Sequence, residues 1–204
     1  MSDDKNIIEE PIAFYGQLDQ SKSYTYTDYM KWQFDERVEL IKGKILKMAA
    51  APSRKHQITS GNLHFELSTV FRKNKCQLYS APFDVRLPIS GTSGIDTVVQ
   101  PDLCVVCDEA KLDDAGCNGA PDLIVEILSP SNTRHDLKTK FELYEEVGVS
   151  EYWIVSPWDK TVIVYYLKEG NYLGSKFYTE GSTIQSIHFP DLKVDVLGVF
   201  EGVE

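Results

Sequence analysis

Apolar positions along this chain follow two different periods, and the places where the period changes mark its elements. Between Arg37 and Met48 apolar residues flank Lys42-Gly43-Lys44, which predicts a tight β-hairpin. Ile58, Leu63, Leu67, Val70 and Phe71 then recur at helical spacing, predicting a helix over about residues 56–73 with one face on a sheet. Residues 76–80 and 83–87 read as strands; in the second, Phe83, Val85 and Leu87 alternate with Asp84 and Arg86, the pattern of a half-buried strand. The runs 103–106 and 123–128 are apolar without alternation, as expected of strands covered on both faces. Between them, residues 108–120 are polar and predict a loop with at most one helical turn.

Ser131 or Asn132 next caps a helix that runs through Val147 and is closed by Gly148, with Leu137, Phe141, Tyr144 and Val147 as its apolar stripe. A strand at 151–157, a hairpin from 161–167 and 171–178 about Glu169-Gly170-Asn171, and one or two short segments up to Phe200 complete the series. Upstream, Thr25 or Thr27 caps a short helix through Phe34, and residues 1–22 read as an arm before a single domain over 23–204. The expected fold is mixed α/β (α+β): a central mixed sheet flanked by helices, with added antiparallel hairpins.

Two acids interrupt the apolar strands. Glu126 lies in the middle of Leu123–Leu128, and an ionised carboxylate taken from water needs a counter-charge or a metal. Asp102 stands in a similar setting, between Pro101 and the run beginning at Leu103. Two acids on apolar strands are the minimum for holding a hard divalent cation such as Mg²⁺ or Mn²⁺. Lys140 falls on the apolar stripe of the following helix, three residues after Leu137 and four before Tyr144, whereas Lys138, Glu142 and Glu145 point away. Such a set suits phosphodiester hydrolysis: the cation polarises a phosphoryl oxygen and acidifies a bound water, and the lysine orients that water. The competing reading is a structural Glu126–Lys140 ion pair, with Asp102 merely starting its strand.

Other residues are more ambiguous. Asp122 shares strand parity with Glu126 and either joins the metal shell or ends the strand in solvent. Glu39, between Val38 and Leu40, can face either way. His56, in Arg54-Lys55-His56, reads as a solvated helix start, with a phosphate contact as the alternative. Asp136 is a first-turn acid favoured by the helix dipole, and Ser129 lacks the sequence context of a nucleophile.

Composition changes this picture in one respect. The chain has 204 residues, 42% hydrophobic and 25% charged, which is ordinary for a globular protein, but its net charge of −10 argues against a broadly basic nucleic-acid surface. That charge favours an alternative to catalysis, a silent module acting in protein or nucleic-acid binding. No apolar run approaches the roughly 18 residues of a membrane span, and the polar start Met1-Ser2-Asp3-Asp4-Lys5 predicts a cytoplasmic protein. Cys76, Cys104, Cys107 and Cys117 are expected to be buried reduced thiols, with a zinc or redox role for the Cys104-x-x-Cys107 spacing as the lesser reading.

Several segments together resemble a known family. Pro101-Asp102, Pro121-Asp122-Leu123-Ile124-Val125-Glu126-Ile127-Leu128-Ser129-Pro130-Ser131, the series Asp136, Lys140, Tyr144, and Gly148-Val149-x-Glu151-Tyr152-Trp153-Ile154-Val155 are similar to the Uma-type restriction endonucleases, a branch of the PD-(D/E)XK nuclease superfamily. Arg37-Val38-Glu39-Leu40-Ile41-x-Gly43 and Phe83-Asp84-Val85-Arg86-Leu87 extend the resemblance over about Tyr26 to Phe200. It implies a restriction-endonuclease-like fold, a divalent metal held by Asp102 and Glu126, Glu39 as an additional acid near it, and nucleic acid, in first place DNA, as substrate. The superfamily places its lysine two residues after the glutamate, where this chain has Leu128, so Lys140 on the next helix would bring its ammonium group to the same point. A homodimer would let two sites meet two strands.

Overall fold

A computed structural model describes residues 15–33, 35–48, 51–89, 94–130 and 134–204. The strands are β1 (Val38–Ile41), β2 (Lys44–Lys47), β3 (Gln77–Ser80), β4 (Val85–Arg86), β5 (Val98–Val99), β6 (Leu103–Val106), β7 (Leu112–Asp113), β8 (Gly116–Asn118), β9 (Leu123–Ile127), β10 (Glu151–Ser156), β11 (Thr161–Lys168), β12 (Asn171–Gly174), β13 (Thr183–Gln185) and β14 (Lys193–Asp195). The helices are α1 (Tyr26–Tyr29), α2 (Arg54–Phe71), α3 (Arg134–Val147) and α4 (Val196–Val199). Two six-stranded sheets result, ordered β2-β1-β5-β4-β8-β7 and β12-β11-β10-β9-β6-β3, with β13 and β14 as a separate pair.

The second sheet is covered on both faces, and the period of two along its strands decides what each residue meets. Leu123, Val125 and Ile127 of β9, with Leu103 and Val105 of β6, face Leu63, Leu67 and Phe71 of α2 and the C-terminal residues Val196, Val199 and Phe200. Ile124, Cys104 and Val106 face the other way, toward Ile41, Val85 and Val99 of the first sheet and Leu143 and Tyr144 of α3. β9 and β10 are parallel, with Ile154 opposite Glu126, so α3 must cross from the end of one to the start of the other. Glu126 has the parity of Ile124 and therefore faces α3 and the first sheet. Glu39 shares a face with Ile41, which lies in that same inter-sheet core.

The β1–β2 hairpin turns at Lys42-Gly43, both with positive φ (50° and 74°), as a two-residue turn matched to strand twist requires. Ser53 caps α2 by accepting from the His56 amide, and Gly148, at φ 84°, follows α3. The Ser131 and Asn132 caps lie outside the described residues, as do Phe34 and residues 1–14 of the expected arm. Within the rest of the arm, Leu18 is buried and Lys44 Nζ donates to the Ser21 and Lys22 carbonyls.

Some expectations change. The first helix closes at Tyr29; Tyr24, Tyr26, Tyr29 and Trp32 pack on one another there instead of presenting a helical stripe to the core. The polar stretch 108–120 is a 3₁₀ turn followed by the β7–β8 hairpin, which joins the sheet through β4. Arg86, expected on a solvent face, is therefore buried and reaches Asp113 at 2.6 Å. The thiols are not all reduced: Cys76 and Cys107, adjoining the Gln77–Val106 register pair of β3 and β6, form a disulfide. Cys104 and Cys117 are free and buried, and burial pushes the Cys117 thiol up to about 11, which makes it inert.

A methyl group on Gly43 would collide with Ser23 Oγ and occupy backbone space that favours glycine. Gly43→Ala should lower stability by about 1–3 kcal/mol in urea unfolding; an unchanged midpoint would mean that the turn tolerates another geometry.

Candidate active site

Glu126, Lys140 and Glu39 meet between the two sheets. Lys140 Nζ, from α3, lies 2.9 Å from Glu126 Oε1 and 3.0 Å from Glu39 Oε1, and the three side chains are only 12, 13 and 2% exposed for Glu126, Lys140 and Glu39. Glu126 Oε1 also accepts from Tyr144 Oη at 2.7 Å, and Glu39 Oε1 from the Gln100 amide at 2.9 Å. Tyr144 is one helical turn from Lys140, so a single face of α3 supplies both donors. Two buried acids against one cation leave an excess of negative charge. Burial pushes the Glu126 carboxyl up to about 7; Lys140 opposes that rise, and Asp102 and Glu39 add to it. Burial disfavours the Lys140 ammonium, but the charges of Glu126 and Glu39 outweigh it and hold Lys140 above the ordinary lysine range.

Asp102 stands just before β6, where extending the β6–β9 register places it opposite Glu126. Its Oδ2 accepts from the Ile127 amide at 2.7 Å, tying it to the strand that carries Glu126. Its Oδ1 is 3.2 Å from His56 Nε2 in the first turn of α2. His56 is buried; burial lowers its proton affinity, but the hydrogen bond and charge of Asp102, helped by Glu126, raise it overall. The other ring nitrogen, Nδ1, is buried with no hydrogen-bond partner among the described residues.

The four residues singled out for the chemistry, Asp102, Glu126, Lys140 and Glu39, are thus brought together. Asp122 is not among them: it sits at the opposite end of β9, where its Oδ2 accepts from the Cys107 amide at 2.8 Å. The side chain of Asp136 lies outside the described residues. His56 is the main misreading, since it is buried and no solvated helix start. The signal was its spacing: His56, Thr59, Leu63, Leu67 and Phe71 form the buried stripe of α2. Gln100 is an omission. Its amide meets Glu39, and its side chain joins Arg37, Asp84 and Tyr29, a network no linear pattern announces.

Among the described residues, no group of three or more His, Cys, Asp or Glu side chains is arranged to hold a metal ion. The donor chemistry nevertheless fits a hard cation. Mg²⁺ typically takes one or two carboxylates and fills its other positions with water and substrate phosphate. Asp102, just before β6, and Glu126 of β9 supply two carboxylates opposite one another, and a cation would relieve the part that Asp102 and Glu39 add to the burial-raised Glu126 carboxyl.

The chain is similar to known proteins in sequence and in fold. A family model described as Uma2, putative restriction endonuclease, matches residues 26–197. An uncharacterized protein of Synechocystis sp. is 27% identical over 146 residues, covering 68% of this chain and 72% of its own. A crystal structure from Anabaena variabilis, described as a putative nuclease belonging to DUF820, superposes with a TM-score of 0.69 at 18% identity, over 89% of this chain and 99% of that one. The architecture is that restriction-endonuclease-like, mixed α and β fold.

Two outcomes follow from the charge balance. Lys140→Met leaves two buried carboxylates without their cation and should cost about 3–5 kcal/mol in denaturant unfolding; a loss below about 1 kcal/mol would show that water already compensates them. The Glu126 carboxyl is raised in the folded state from 4.5 to about 7, so the folded chain binds that proton more tightly. The stabilisation is complete below about pH 4.5 and is lost as pH rises through 7. The wild-type melting temperature should therefore fall over this range more steeply than that of Glu126→Gln; parallel profiles would contradict the raised value.

Proposed function

The chain belongs to the Uma2 family, described as putative restriction endonucleases, and on that premise we propose that it is a divalent-metal-dependent endonuclease acting on DNA. The observation that carries this reading is the placing of Asp102, just before β6, opposite Glu126 of the adjacent antiparallel β9, with the Lys140 ammonium 2.9 Å from Glu126. In this reading Asp102 and Glu126 hold Mg²⁺ or Mn²⁺, and Glu39 assists from β1. The bound cation would polarise a phosphoryl oxygen and lower the pKa of a coordinated water.

The chain's own residues then have distinct tasks. Lys140, kept protonated by its two carboxylates, orients the attacking water and offsets charge on the phosphoryl oxygens. Tyr144 holds Glu126 Oε1, and the Ile127 amide holds Asp102 Oδ2, so both acids are fixed before substrate arrives. His56 restrains Asp102 from the opposite side of the sheet. A homodimer would carry two such sites to the two strands of a duplex.

One observation favours a second reading, a catalytically silent module of the same fold. Lys140 already bridges Glu39 and Glu126, which is also how a purely structural ion-pair network closes. Cleavage of a plasmid with Mn²⁺ separates the two. The nuclease reading expects Asp102→Ala and Glu126→Ala each to lower the cleavage rate about 100-fold or more. Full activity in either variant would remove that residue from the chemistry, and an inactive wild type across plasmid and oligonucleotide substrates would favour the silent module.

A further inference from the structure

The overall charge of −10 hides one strongly basic segment. Residues 54–75, comprising α2 and the turn after it, carry five Lys or Arg and one acid, in a chain whose totals are 21 Lys or Arg and 31 Asp or Glu. The helix disposes them unevenly. His56, Thr59, Leu63, Leu67 and Phe71 form its buried stripe. The single acid, Glu66, lies on the side toward α4, where its Oε1 would be 3.2 Å from a side chain placed on Gly198. The exposed face is left with Arg54, Gln57, Gly61, His64, Ser68 and Arg72, recurring at helical spacing with no carboxylate among them. Phe65, 67% exposed, sits at its margin, and space around Gly61 is open.

α2 is joined to the acids at two points. At its N-terminal end His56, on the buried stripe behind this face, lies 3.2 Å from Asp102. Midway, His64 Nδ1 lies 2.8 Å from Ser80 Oγ, and the next residue, Ala81, donates its amide to the Asp102 carbonyl at 3.1 Å. Toward the C-terminal end a depression of about 550 Å³ opens between His64, Ser68, Arg72, Asn74 and Gln77. The 18-residue helix is ~27 Å long, which matches the rise of about 8 base pairs at ~3.4 Å each.

We propose that the exposed face of α2, from Arg54 to Arg72, is the docking surface for the phosphodiester backbone of a nucleic-acid substrate and leads that backbone to Asp102. Arg54 and Arg72 neutralise phosphates at the two ends; Gln57 and His64 donate hydrogen bonds between them; Gly61 allows close approach. The inference rests on the nuclease reading for the identity of the ligand, and it would let a chain of net negative charge bind nucleic acid, because this face carries Arg54 and Arg72 and no carboxylate.

The test is fluorescence anisotropy with a labelled duplex and a labelled single strand in chelator, so that binding is read without cleavage. Gly61→Glu introduces a carboxylate into the path, and Gly61→Gln is its neutral control; both replace a helical glycine facing open space, so the helix should persist. Gly61→Glu should weaken binding about 10-fold or more, with Gly61→Gln close to wild type. Arg54→Gln/Arg72→Gln should reduce the slope of log Kd against log salt by about 2, one per phosphate contact. Melting temperatures equal to wild type exclude a folding effect. Wild-type affinity in both Gly61→Glu and the double variant, or no binding of either nucleic acid by the wild type, overturns the proposal. So does polyglutamate competing as well as DNA at matched charge and salt, which would identify an acidic polypeptide as the ligand. Cleavage with Mn²⁺ separates the two readings. Retained cleavage with unchanged KM in Gly61→Glu sinks the docking surface alone, and charge-dependent binding by a wild type that cleaves nothing sinks the nuclease reading alone.

Discussion

A carboxylate in the middle of a strand covered on both faces sets the terms for the rest of this structure. Glu126 is only 12% exposed where it stands, so the elements around it are arranged to meet it. The parallel β9–β10 pair forces a helical crossover, and that crossover presents Lys140 and Tyr144 to Glu126 from consecutive turns. The first sheet closes over the same point and adds Glu39, whose charge makes a single lysine insufficient. Because its members come from both sheets and α3, the polar network is as integral to the fold as the apolar clusters around it.

The network is also unbalanced in a way that suits a catalytic site. A purely structural pair would match one cation to one acid; here three acids approach one lysine and one histidine, and burial, with the charges of Asp102 and Glu39 adding to it against Lys140, raises the Glu126 carboxyl to about 7. The excess charge is stored where a divalent cation and a phosphate would together neutralise it. The distribution of surface charge follows the same logic at larger scale. Acids dominate the chain as a whole, while α2 carries basic and neutral polar residues on its exposed face and reaches Asp102 through His56 on its buried stripe.

Much of this was legible in the sequence, because hydrophobic periodicity reports directly on which face of an element is buried. The Lys42-Gly43 hairpin, α2, α3, β9 and β10 all follow from it, and so does Lys140, whose place on an apolar stripe was itself the anomaly. Arg86 was not legible, since its burial depends on β8, whose partner β4 lies some thirty residues away in sequence. The Cys76–Cys107 bridge likewise arises from the antiparallel pairing of β3 with β6, which no local pattern specifies. His56 was legible and misread: its basic neighbours suggested solvent, but its spacing to Leu63 and Leu67 placed it inside. Gln100 joins the site through its backbone amide, a contact indifferent to side-chain type.

The claim on which the account turns is that Asp102 and Glu126 form a cation site. Isothermal titration of Mn²⁺ into the wild type and into Asp102→Ala, with a non-cleavable phosphodiester analogue present, tests it most directly. The wild type should bind saturably, more tightly as pH rises through about 7, where Glu126 sheds its proton, and Asp102→Ala should not bind. Equal binding by the two proteins, or none by the wild type with the analogue bound, would contradict it and leave the cluster as a structural ion-pair network.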